Sequence, residues 1–89
     1  MDEKLREIIE KKIQDTLEKT DEIKKIIDSL NEISSKPDSF SAGVIIGRLY
    51  NSFYYQSRRI LKREPTSQEF SEFLDIIKKR QKDIQEKFQ

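Results

Sequence analysis

An 89-residue chain with 39% charged residues, 34% apolar residues and a formal net charge of +1 has room for one modest core and exerts no general pull on polyanions. It contains no Cys and no His, which excludes disulfides, thiolate chemistry and zinc sites built on those ligands. The opening MDEKLREIIE mixes charges around no apolar core, so no signal peptide is expected and the cytoplasm is the expected compartment.

From Asp2 to about Ile33, the apolar residues Leu5, Ile8, Ile9, Ile13, Leu17, Ile23, Ile26, Ile27, Leu30 and Ile33 fall on one helical stripe. Glu7–Lys11, Asp15–Lys19 and Asp21–Lys25 add acid-first pairs four residues apart. The pattern predicts one long helix of about 45 Å. Its weakest point is Thr16 and Thr20 on the apolar side, where Thr20-Asp21 offers a kink or a new helix start.

The stretch SSKPDSFS, residues 34–41, reads as a connector whose Pro37 stops a continuous helix. Asp38, Ser39 and Ser41 are the candidate caps of the next helix. That second helix is expected from about 42 to 63, with Ala42, Ile45, Ile46, Leu49, Phe53 and Ile60 on its inner face. In Glu64-Pro65-Thr66-Ser67-Gln68-Glu69, Thr66 and Glu69 make a capping box. That signal opens a third helix over about 67–87, whose stripe is Phe70, Phe73, Leu74, Ile77, Ile84 and Phe88. No segment alternates with period two. The expected class is all-α: residues 1–89 as a single helical domain of three long helices, the second and third an antiparallel hairpin, forming a three-helix bundle or a dimerising one.

RRILKREPTSQEF resembles, over Leu61 to Phe70, the phrase that opens helix-turn-helix units in bacterial sigma factors. FSEFLDIIKKRQKDIQ then continues as helix with no turn and no reading helix. The capping chemistry accounts for the likeness, which implies no family and no DNA-reading role.

Two surfaces stand out. The first is a protein interface. A continuous first helix outruns the second by about 15 Å, so Leu5, Ile8 and Ile9 are expected on an overhang that needs cover. Gly43 and Gly47, in a G-x-x-x-G spacing, suggest close approach of another element, either within the fold or from a partner. The second lies in residues 40–63, which hold five bases and no acid. Arg48, Ser52, Tyr55, Arg59 and Lys62 recur at helical steps, with Arg58 and Arg63 at the edges. Such a basic stripe with an aromatic suits phosphates and stacked bases, unless the acids of the first helix neutralise it. Residues 39–57 carry one charge, Arg48, but four serines and Arg48 itself make a membrane span unfavourable.

No paired carboxylates in an apolar setting suggest catalysis, and no cofactor, metal or small-molecule substrate is expected. The sequence therefore points to a non-catalytic helical interaction module or accessory subunit, with a protein partner or a second copy of itself. The alternative is a DNA- or RNA-binding protein that uses the basic face, within a replication, transcription or repair complex.

Overall fold

A computed structural model of the chain describes residues 1–33 and 35–87. The described residues form four α-helices and one short 3-10 turn: α1 (Glu3–Glu18), α2 (Asp21–Leu30), the 3-10 turn (Asn31–Ile33), α3 (Pro37–Leu61) and α4 (Ser67–Lys87). No strand occurs among them, so the chain is all-α. The expectation of three long helices is corrected to four, because the stretch expected as one helix over 2–33 is two.

The break has a local cause. Thr16, buried on the inward side of α1, donates its hydroxyl to the Lys12 carbonyl at 2.7 Å, a back-bond of the kind that loosens and bends a helix. Lys19 then leaves the helix at φ −110°, ψ 75°, with its own N–H on the Asp15 carbonyl. The carbonyl of buried Thr20 accepts from Lys24 at 2.8 Å and starts α2.

The other starts are equally local. Asp2 accepts the Leu5 N–H at 2.9 Å and caps α1. α3 begins at Pro37, ahead of the expected Ala42, because a proline at the first helical position gives up an N–H that has no partner there. Lys36 holds the cap position without a side-chain capping bond. The candidate caps Asp38, Ser39 and Ser41 therefore lie inside the helix, and the connector is shorter than 34–41.

The early start and the break together settle the length problem. The 25 residues of α3 span about 37 Å, which matches the 38 Å long dimension of the molecule. α1 and α2 both pack against this rod, and α4 contacts α1 and α3. Leu5 and Ile9 are completely covered by the chain itself and Ile8 is half-buried. The overhang, and with it the case for Leu5, Ile8 and Ile9 as an interface, is corrected.

The core joins Leu5, Ile9 and Ile13 of α1 and Ile23 of α2 to Ile45, Leu49 and Phe53 of α3 and Phe73, Ile76, Ile77 and Ile84 of α4. Phe53 and Phe73 stack with ring centres 4.6 Å apart and planes 8° off parallel, the closest aromatic pair among the described residues. Ser41, Gln56 and Ser57 are buried on α3 as well. Ser57 hides its hydroxyl on the Phe53 carbonyl at 2.8 Å, and Gln56 accepts from Arg59 at 3.3 Å. The expected inner face of α3 is buried at Ile45, Leu49 and Phe53 and half-buried at Ala42 and Ile60, and Ile46 is exposed. Ile26, Leu30, Ile33 and Leu74, also expected on inner stripes, are exposed too. Phe88, the last of the α4 stripe, lies outside the described residues.

Ile9→Ala should therefore destabilise the isolated chain by about 2–5 kcal/mol in chemical denaturation, as a core truncation does. A residue on a solvent-exposed overhang would change stability by no more than about 0.5 kcal/mol.

Candidate functional site

The six basic or aromatic residues singled out on the second helix divide by what holds them. Arg58 pairs with Glu64 at 2.9 Å. Arg63 forms a two-pronged bond to Glu69, at 2.7 and 3.2 Å. Arg59 reaches only the Gln56 side chain, and among the described residues Arg48 and Lys62 have no ion pair. Tyr55 is 63% exposed. Lys62 sits just past the helix end in the left-handed region, φ 61°, ψ 28°, and its N–H closes the last turn on the Arg58 carbonyl at 3.1 Å. Among the described residues, no acid of α1 or α2 forms an ion pair with a base of α3. Glu10 of α1 instead meets Arg80 of α4 at 3.7 Å, and Arg80 also holds Asp83 and Gln14. Arg80 therefore faces α1.

The Arg63–Glu69 bond is joined to the capping box. Thr66 donates its N–H to Glu69 Oε1 at 2.9 Å, and the Glu69 N–H returns to the Thr66 hydroxyl at 3.1 Å. With Arg63 first and the Thr66 N–H second, these bonds hold the Glu69 carboxyl down to about 2 from an ordinary 4.5. A buried carboxylate fixed as an anion is the opposite of a general acid. The carboxyl titrates lower in the folded chain than in the unfolded one. The network thus contributes fully above about pH 5 and its contribution fades as pH falls from there through about 2. The thermal midpoint of the native chain should exceed that of Glu69→Gln near neutrality, and the gap should close on acidification over this range.

Gly43 and Gly47 are exposed, and a methyl group built on either would meet nothing within 4 Å. Close packing inside the fold, one explanation for this pair, is thereby removed. Beside them Ile46 is 39% and Tyr50 41% exposed, although the Tyr50 ring lies 5.2 Å from Tyr54 and 5.8 Å from Phe70. A second apolar strip, on α2 and the 3-10 turn, exposes Ile26, Leu30 and Ile33. Sequence periodicity places all three inside, because their steps of four and three match the core face of one long helix. The structure turns them out.

Charged clefts also mark the described surface. One of about 220 Å³ lies between α1 and α3 and is lined by Lys12, Asp15, Thr16, Lys19, Arg48 and Ser52. Its neighbour of about 380 Å³ shares Lys19 and Arg48 and adds Glu18, Asp21 and Glu22. Another, between α1 and α4, is lined by Gln14, Leu17, Glu18, Arg80, Asp83, Glu86 and Lys87. Among the described residues, no cluster of three or more acids is arranged to hold a metal ion, and no helix is long and apolar enough to cross a membrane. Comparison with known proteins gives no match to any family model, curated protein or solved structure.

A glycine in an exposed helix interior costs about 1 kcal/mol relative to alanine. Gly43→Ala and Gly47→Ala should each raise the unfolding free energy of the isolated chain by about that amount, as read by urea denaturation.

Proposed function

We propose that this protein is a small non-catalytic interaction module that self-associates, setting the α3 face of one copy against the α2 strip of another. The observation that carries the reading is the pair of uncrowded glycines. Gly43 and Gly47 weaken the exposed side of α3, no other described residue comes within 4 Å of where their side chains would be, and the exposed residues beside them, Ile46 and Tyr50, are apolar. Small residues on a helix face let another backbone approach closely, and the flanking side chains supply apolar area.

Charge favours the α2 strip as the occupant. From Ser39 to Arg63 the chain carries five bases and no acid, so α3 as a whole favours an acidic neighbour. Residues 21–33, which carry Ile26, Leu30 and Ile33, hold four acids and two bases. A twofold dimer allows both contacts at once, α3 on α2 and α2 on α3. An accessory subunit of a larger assembly would present the same two strips to its neighbours.

A second reading, contact with DNA or RNA, draws on Arg48, Tyr55, Arg59 and Lys62, which remain exposed and unclaimed by acids. It supplements association, since these residues lie further round α3 than Ile46 and Tyr50.

Sedimentation of the purified chain should give a species of twice 10.7 kDa. Ile46→Glu and Leu30→Glu, both at exposed positions, should each return it to the monomer with the helical circular dichroism intact. A native chain that stays monomeric at high concentration overturns self-association.

A further inference from the structure

The cleft between α1 and α3 brings cations from two parts of the chain to one concave place. Lys12 stands on α1, Lys19 just past its end, and Arg48 comes from α3. Arg58, Arg63 and Arg80 are each paired with an acid, whereas Arg48, like Arg6 and Arg59, is in no ion pair among the described residues. Among the described residues, Lys12, Lys19 and Arg48 have no ion pair although Asp15 lines the same cleft. Counting side chains, the lining carries three positive charges and one negative. Half-buried Ser52 has no hydrogen-bond partner among the described residues and offers its hydroxyl from the α3 wall. Thr16 offers an acceptor only, since its proton is already given to Lys12.

We propose that this cleft is a seat for a single phosphate group, held by Lys12, Lys19 and Arg48 with Ser52 as the neutral donor. Three cations on two walls plus a hydroxyl match the charge and the donors a phosphate seeks. The size agrees: about 220 Å³ is below the roughly 300–1,000 Å³ of pockets that enclose larger organic ligands. The adjoining cleft limits the direction in which a longer ligand extends. Glu18, Asp21 and Glu22 repel an anion beyond Lys19, whereas Tyr55, Arg59 and Lys62 continue from Ser52 along α3 without an acid. A polyphosphate or nucleic-acid backbone seated at Arg48 therefore leaves toward Tyr55. The seat does not depend on self-association, which uses the Ile46 and Tyr50 side of the helix.

The test is a low-salt titration of the isotope-labelled chain, monitored through the backbone amide resonances, with inorganic pyrophosphate and separately with a short oligothymidylate. Pyrophosphate should shift Lys12, Thr16, Arg48 and Ser52, and Arg48→Gln and Lys19→Gln should each weaken it about tenfold. The exposed control Lys78→Gln should bind as the native chain does. If the oligothymidylate moves the same amides and those of Tyr55 and Arg59 as well, the phosphate is that of a nucleic acid. Binding of pyrophosphate alone upholds the seat and assigns it a small phosphorylated ligand. No shift with either probe overturns the seat, and so do shifts spread evenly over Lys78, Lys79 and Lys82. A monomeric chain that still binds pyrophosphate would separate this proposal from self-association.

Discussion

The architecture depends on the bend at Lys19 and Thr20. An apolar stripe running from Leu5 to Ile33 on a straight helix is longer than any partner this chain can supply. Two inward threonines interrupt it where continuation would leave the far end bare. The result is a pair of shorter helices packed against a single 25-residue rod, and a core that reaches Leu5. An isolated helix with the length of α2 is marginal in water, so α2 owes its helicity to Ile23 docking and Ile27 packing beside it. Its remaining apolar residues are left facing outward.

That arrangement gives α3 an uneven circumference. One side is buried with Ile45, Leu49 and Phe53, together with Gln56 and Ser57, which satisfy themselves on a neighbouring arginine and on the helix's own backbone. A second side shows glycines, Ile46 and Tyr50. A third shows bases. Glu64 and Glu69 claim Arg58 and Arg63, while Arg48 shares a cleft with residues of α1. There Asp15 lines the cleft without forming an ion pair with Arg48.

Much of this is legible in the sequence. Spacing identifies the helical class, and the capping box of Thr66 and Glu69 locates the start of α4 to the residue, because both signals are local and chemical. Length matching fails for a nonlocal reason. Whether two threonines on an apolar stripe bend a helix or are carried inside it depends on what packs against them. Periodicity finds Ile45, Leu49 and Phe53 on the buried side of α3 but misses Gln56 and Ser57, which look like solvent residues until their hydrogen bonds are known. Lys12 and Lys19 are unremarkable in α1 and gain meaning only from Arg48 across the groove. Pro37 reads as a barrier when it is a beginning, since the same missing N–H serves either role.

The corner between α3 and α4 is closed by bonds among residues at most six positions apart, Arg63, Glu64, Thr66 and Glu69. Contacts of such short range lose little chain entropy when they form and need no other part of the molecule in place. The turn can therefore be set early in folding, presenting Phe53 to Phe73 before α1 arrives.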